Sequence, residues 1–527
     1  MSVRQGFVAV SLFITLTLLS LAYYWPGFYW GFVIVLPLII LGIHHMTQTR
    51  HTVLRLYPVI GLLRYVFEAI RPEIQQYFVE SNINGRPINR EFRSLIYQRA
   101  KHVRDTRPFG TQFDVYAAGY EWINHSMNPV DIKDKQPRIK FGGTDCEKPY
   151  YASPLNISAM SYGALSKNAI MALNKGAKIG GFAHNTGEGG LSPYHLKYGG
   201  DIIWQIGTGY FGCRNRDGGM DEDKFAKNAQ LDAVKMIEIK LSQGAKPGHG
   251  GILPAAKLTK EIAEIRHVPM GEDVVSPPAH TAFDSPEGLL HFVAKLRKLS
   301  GGKPVGFKLC LGKRSEFLGI CKAMVKTGIT PDFITVDGGE GGTGAAPIEL
   351  TNSMGTPLRD AVVFVHGALV GIKKREQIRI IASGKIFSAF HLARIIALGA
   401  DTVNSARGMM LALGCIQSRS CNTDKCPTGI ATQDPARYHA LNIDDKGQRV
   451  ANFQTATVKN LMELIGASGL TDLSELTPQH INRRVNGTQV SNYAELYPCI
   501  EGCCLLTDED LPENIKHDWQ LASAEQW

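Results

Sequence analysis

The chain has 527 residues, 44% hydrophobic and 20% charged, which is enough for a large core and more than one domain. Its formal charge of +9 raises nucleic acid as a partner, but no zinc-finger or RNA-binding signature accompanies it. The excess is local: residues 50–107 hold eleven Lys and Arg against five Asp and Glu, directly after a long uncharged stretch, so the charge points to an anionic lipid bilayer, with a solvated basic helix face as the alternative, and away from nucleic acid.

Residues 6–43 contain no charged side chain, and within them 7–24 and 28–43 are apolar runs separated by Trp25-Pro26-Gly27. Eighteen helical residues span ~27 Å, close to the ~30 Å of a bilayer core. The second run reaches that length when His44 and His45 sit at the interface. Tyr23, Tyr24, Trp25, Tyr29 and Trp30 make an aromatic belt at the turn. A transmembrane hairpin is expected over residues 1–48. A signal peptide fits less well, because no small-x-small cleavage site precedes the aromatic cluster and the second run would be left over. Arg4 on one flank and Arg50, Arg55 and Arg64 on the other place both ends, and the chain that follows, on the cytoplasmic side of the cell (inner) membrane.

Residues 49–148 read as a connecting region, helical to about Tyr77, turning at 82–87, helical again from about Glu91, then irregular. The helical part VLRLYPVIGLLRYVFEAI carries apolar residues around most of its circumference, which fits either an interfacial segment or one packed on the barrel. From Ser153 short apolar strands alternate with amphipathic helices, the pattern of a parallel sheet. Eight strands are predicted, near 155–159, 181–185, 202–206, 236–240, 305–309, 333–336, 378–382 and 401–404. The expected fold is α/β, a (β/α)8 TIM barrel over 149–465, with a C-terminal extension over 466–527. A doubly wound open sheet is the alternative, but it does not explain why polar and Gly-rich motifs follow nearly every strand.

The last two strands lead into the chemistry. Ser383-Gly384, continued by Lys385, and Ala406-Arg407-Gly408 are candidate phosphate cradles, because small residues let the backbone approach an anion. In a barrel the phosphate site commonly follows strands 7 and 8. Cys415, Cys421 and Cys426 come next, with five and four residues between them, and Pro427 follows the last. Thiolates so close in sequence can converge on one inorganic centre. Zinc wants four ligands and the nearest histidine, His439, lies beyond the loop, while a disulfide leaves one thiol over. A cluster held by three cysteines fits best. Cys499, Cys503 and Cys504 have no histidine nearby and are assigned no role.

The run CIQSRSCNTDKCPTGIATQDP (415–435) resembles the cluster loop of glutamate synthase, in its FMN-binding synthase domain. The resemblance extends, in family order, through SAMSYGALS (158–166), NTGEGG (185–190), KLSQGAKPGHGG (240–251) and SPPAH (276–280), covering roughly residues 150–440. It implies a 3Fe-4S cluster on Cys415, Cys421 and Cys426, and FMN beside Ala159, Met160, Ser161, Gln205 and Lys308. The glycine loop Gly338, Gly339, Gly341 and Gly342, the pair of cradles with Ser383, Gly384 and Lys385, and Arg407 with Gly408 complete that implied flavin site. Lys308 would raise the flavin's reduction potential, since a reduced flavin gathers negative charge at N1 and O2. A 2-oxo dicarboxylic acid needs several cations, and the resemblance gives Lys240, Lys246 and Arg266 to 2-oxoglutarate and places Glu188 near the reacting carbon as a proton carrier. Two positions depart from the family: Ile252 stands where a glutamine usually helps hold substrate, and His249 replaces the usual glutamate. No glutaminase domain and no Rossmann strand–GxGxxG–helix unit for a pyridine nucleotide are found.

The expected function is therefore a membrane-anchored oxidoreductase with FMN and a 3Fe-4S cluster. It would reduce 2-iminoglutarate, formed from 2-oxoglutarate and ammonia, to L-glutamate, with electrons from a separate donor: ferredoxin, a reductase subunit or the quinone pool. One alternative keeps the cofactors and changes the substrate to another amino or 2-oxo acid, as in the N-methylglutamate synthases. Another is a non-catalytic membrane redox scaffold, which would have no need of concentrated cations at a barrel mouth.

Overall fold

A computed structural model describes residues 2–103, 106–500, 502, 504–506 and 511–527, in two compact units, 1–87 and 88–527. Cys503 lies outside the described residues.

In the first unit the two uncharged runs are consecutive helices, α1 (Val3–Tyr24) and α2 (Phe32–Thr47), joined by a 3-10 turn over Pro26–Gly31. A capping box between Ser2 and Gln5 starts α1. Glycines let the two helices run close: a Cβ on Gly31 would stand 2.9 Å from a Leu18 methyl, and one on Gly42 2.0 Å from the Phe7 ring. Both segments are long and apolar enough to cross a bilayer, and only 6% of each apolar window is buried. The mostly helical stretch expected after them is broken by a turn. A short helix, Thr52–Leu56, gives way to a turn in which Val59 takes a left-handed φ of 62° and donates its N–H to His45 Nδ1 at 3.1 Å. Only then does α3 (Leu62–Ile74) begin, with its apolar residues gathered on one side and no residue buried.

In the second unit eight strands close a parallel barrel: β1 (Leu155–Ile157), β2 (His184–Asn185), β3 (Ile202–Ile206), β4 (Val234–Lys240), β5 (Val305–Leu309), β6 (Phe333–Asp337), β7 (Arg379–Ser383) and β8 (Thr402–Ser405). Each pairs with the next, and β8 returns to β1 through Val403 opposite Leu155. Most strand residues are buried on both faces, which is why these runs read as continuously apolar. The register brings Lys240 beside Lys308 and Asp337 beside Ser383, and so aligns the strand ends that carry the motifs on one rim.

Around the barrel, α4 (Arg90–Ala100), α5 (Lys167–Gly180), α6 (Arg407–Leu413) and α7 (Ile443–Ala467) pack on the side where the sheet closes. Gly176 of α5 lets α7 approach, since a Cβ there would lie 2.7 Å from Val450. From α7, Gln454 donates to Ser153 Oγ and to the Leu155 carbonyl, pinning the entry of β1. The barrel interior also holds a fully buried carboxylate. Glu238 accepts from Asn185 (2.8 Å), Gln205 (2.6 Å) and Thr335 (2.6 Å), so its charge is met by three donors from three other strands.

Candidate active site

Glu188, in the loop after β2, and Lys240, the last residue of β4, form an ion pair of 2.6 Å, and Lys240 also reaches Gln243 at 3.2 Å. Burial pushes the Glu188 carboxyl up, but Lys240, Lys246 and Lys308 outweigh it and hold the group at about 2. Glu188 is enclosed by backbone that only glycine permits. A Cβ on Gly251 would stand 2.4 Å from its Oε1, and one on Gly207 2.7 Å from its Cβ. Arg266 arrives from a helix, Lys260–Arg266, within the excursion between β4 and β5. Its guanidinium donates to the Tyr162 carbonyl (3.1 Å), lies 5.1 Å from the Phe211 ring centre and keeps Nε without a partner. Burial lowers it to about 10, against the pull of Glu188.

Lys246 and Lys308 are almost completely buried, and among the described residues neither ammonium has a hydrogen bond or ion pair. Burial lowers the Lys246 ammonium, Glu188 opposing and Lys240 assisting. A buried cation left without a partner is costly, and an anionic ligand removes that cost. The four basic residues expected at the mouth, with Glu188, thus converge on one place.

The expected flavin loops also form one surface. Gly338 donates its N–H to the Ser383 carbonyl at 2.9 Å. Arg407 lies against Gly342, where a Cβ would stand 2.3 Å from Nε, and it donates to the Glu340 carbonyl at 3.3 Å. Burial lowers the Arg407 guanidinium against Asp337 and Glu340. Gly384 has φ 151° and Lys385 φ 48°, so the chain bends sharply after β7. Gly408 is packed tightly on Ser405 Oγ, 2.6 Å from where a Cβ would stand. After β1, the backbone of Met160 and Ser161 meets Gly187, and Ser158 lies 3.3 Å from Ser383 Oγ to Oγ; Ala159 precedes Met160 in the same loop. Gln205 sits deeper, with its amide donated to Glu238. Contiguous loops from β1, β6, β7 and β8 and an unpartnered cation at Lys308 suit FMN.

Cys415, Cys421 and Cys426 are free thiols in the loop after α6, near enough for the charge of each to act on the others. Burial raises Cys415 to about 11 although the Gln417 N–H donates to its sulfur at 3.4 Å. Cys426 is also buried, yet the Thr428 hydroxyl and the N–H groups of Ala431, Thr428 and Ile430 turn its shift downward. Gln417, Arg419 and Asp424 take left-handed φ of 57–61°. Gln417 is fixed by bonds to the N–H and carbonyl of Ile88, Asp424 by the Gln433 N–H, and the Cys415 carbonyl by Tyr97 of α4 at 2.6 Å. Among the described residues no three His, Cys, Asp or Glu side chains could hold a single metal ion. Free thiols with N–H donors on sulfur suit a multi-iron cluster, whose ligands bind different irons.

Sequence reasoning missed Lys257. Its ammonium, nearly fully buried, donates to the carbonyls of Ala164 (2.7 Å) and Cys421 (3.1 Å), joining the loop after β1 to the cysteine loop. Gln433 adds bonds to Gly163 and Leu165, and Ser166 adds two more to Gly429 and Ile430. In sequence, Lys257 is one of two lysines in PAAKLTK, and nothing there marks it as buried.

The family described as "Conserved region in glutamate synthase" matches residues 93–471. The chain is 37% identical over 508 residues to the glutamate synthase large subunit-like protein YerD of Bacillus subtilis, covering 88% of this chain and 96% of that one. It is 35% identical over 324 residues to the archaeal-type glutamate synthase (NADPH) of Thermotoga neapolitana, spanning 61% of each chain. Among solved structures it is similar to a flavocytochrome b2, with 12% identity and a TM-score of 0.41 over 79% of this chain and 90% of that one.

Proposed function

Because this chain belongs to the glutamate synthase family, we propose that it is a glutamate synthase-type oxidoreductase that reduces 2-iminoglutarate, formed from 2-oxoglutarate and ammonia, to L-glutamate. The observation that carries this reading is the barrel mouth, where Lys240, Lys246 and Arg266 gather about a single carboxylate, Glu188, and the Lys246 ammonium has no partner among the described residues. That excess of positive charge matches a ligand with two carboxylates.

Ala159, Met160, Ser161, Gln205, Lys308, the glycines 338, 339, 341 and 342, Ser383, Gly384, Lys385, Arg407 and Gly408 would hold FMN, and Cys415, Cys421 and Cys426 a 3Fe-4S cluster. When bound, these groups supply a hydride at N5 and a one-electron relay from a separate donor, such as ferredoxin, a reductase subunit or the quinone pool. The chain's own residues do the rest. Lys246 and Arg266 bind and orient the 2-oxo acid carboxylates, and Lys240 turns from Glu188 toward the incoming anion. Glu188, beside the reacting carbon, takes a proton from the attacking ammonia and returns it to the leaving water. Lys308 would stabilise the negative charge that reduced FMN gathers. The apolar hairpin α1–α2 anchors the chain in the inner membrane with the barrel in the cytoplasm, which its flanking arginines support.

The test is anaerobic: purify the chain in detergent, measure flavin and iron, reduce it, and follow reoxidation with 2-oxoglutarate plus ammonium. Rapid reoxidation with glutamate formed is expected; bound flavin that ignores 2-oxoglutarate overturns the substrate. A second reading, amine transfer to another 2-oxo acid, is favoured by Ile252, an apolar residue one position from the Gly251 that walls in Glu188. A panel of 2-oxo acids and amines in the same assay separates the two.

A further inference from the structure

Helix α3 presents Leu63, Val66, Phe67, Ile70 and Ile74 along one side, at the i, i+3, i+4, i+7 spacing of a single helical face. All five are exposed, and the chain beyond continues the face with Phe78, 84% exposed. Arg64 and Glu68 lie off this face, while Arg71 flanks it beside Phe67 and Glu73 borders its other edge beside Val66. A soluble surface does not leave such a row uncovered, because each large apolar side chain left in water forgoes the gain of burial.

The fold of this unit says what covers it. His44 and His45 form the last turn of α2, the level at which the uncharged stretch ends. Val59 is bonded to His45, and Tyr65 of α3 lies 3.4 Å from His51 and packs edge-on against its ring. The start of α3 is therefore tied to the end of α2. Arg50, Arg55, Arg64 and Arg71, against Glu68 and Glu73, leave the same short stretch net positive. An apolar face, a basic flank and a fixed depth at the end of a spanning helix are the conditions for a helix lying in the plane of a membrane surface.

We propose that α3 is a second, in-plane membrane contact, with Leu63, Val66, Phe67, Ile70 and Ile74 sunk into the lipid at headgroup depth and its arginines on anionic phospholipid headgroups. This rests on the reading of α1–α2 as a spanning hairpin. The occupant is the lipid surface, not a second copy and not the chain's own barrel.

The test is site-specific photocrosslinking of the full chain in its native membrane. A benzophenone amino acid replaces Phe67 or Ile70 on the apolar face, Arg64 or Glu68 off that face, or Phe13 in α1 as the hairpin reference. The expected result is lipid adducts at 13, 67 and 70, several-fold more abundant than at 64 and 68, by mass spectrometry. Lipid adducts at 13 with intrachain peptide adducts at 67 and 70 would mean that the barrel unit covers the face, and intermolecular adducts there would mean a dimer; either overturns the proposal while leaving the hairpin standing. Equal lipid labelling of all four α3 positions also overturns it. Absence of lipid adducts at 13 removes the hairpin reading and this inference with it.

Discussion

The barrel mouth and the cysteine loop both bury chemistry that water would stabilise, and they do so in opposite ways. At the mouth, charge is met by too little opposite charge: Glu188 serves four cations, and Lys246 and Lys308 have no partner among the described residues. In the cysteine loop the thiols are met by fixed backbone N–H groups, and the surrounding turns are tied down by Gln417, Asp424, Tyr97 and Lys257. An unfinished charge balance suits a ligand that comes and goes. A finished scaffold suits a group that stays.

That contrast can be broken most sharply in the loop. Cys426→Ser is expected to abolish iron binding almost completely while circular dichroism shows the barrel intact; full iron content in this variant would remove the loop as a ligand set. At the mouth, Lys240→Met should slow reoxidation by 2-oxoglutarate roughly 10²-fold, the scale of losing one preorganised charge, with flavin content unchanged. Loss of flavin as well would make Lys240 part of the scaffold and erase the distinction. Lys257→Met leaves the carbonyls of Ala164 and Cys421 without their donor, and should cost about 1–3 kcal/mol in urea unfolding. The companion Lys257→Arg should recover part of that loss.

Smallest is the acid limb of stability. Burial first, then Lys240, holds His280 at about 4 against an ordinary 6.5, although its bond to the Lys240 carbonyl opposes the shift. The unfolded chain takes up this proton first, so the neutral ring's contribution is complete above pH 6.5 and lost as pH falls toward 4. Glu188 acts in the same direction lower down, its contribution complete above 4.5 and lost toward 2. Urea midpoints measured from pH 7 to 4 should fall steadily, and His280→Asn should flatten the upper part of that slope.

The barrel was legible because its strands are continuous apolar runs ended by glycine or charge, a local signal. β3 and β5 begin and end where the residue pattern says they should, and the others shift by a few residues. Glu188, Lys240, Lys246 and Lys308 were legible through motifs at or just after strand ends, and Arg266 through the end of the helix Lys260–Arg266. Glu238 was not, since a glutamate in KMIEIK reads as the solvent side of an alternating strand, and its three donors come from distant strands. Lys257 was hidden for the same reason, because only the meeting of two loops some 260 residues apart, at Ala164 and Cys421, makes a carbonyl cage for it. The single apolar face of α3 emerged once the turn before Leu62 set the helix phase.

Closure of the sheet through Val403 and Leu155 has a consequence for synthesis. β1 leaves the ribosome long before β8 exists, so a growing chain carries a parallel sheet with two open edges and no means of sealing them. The uncharged helices α1 and α2 emerge earlier still. The barrel therefore cannot finish folding piece by piece behind the ribosome: its first and last strands must find each other late, after a long search. During that interval exposed strand edges invite aggregation, and on the proposed reading of α1 and α2 as an anchor a nascent chain held at its other end, diluted over a surface, is the form of it least able to collide with its own kind.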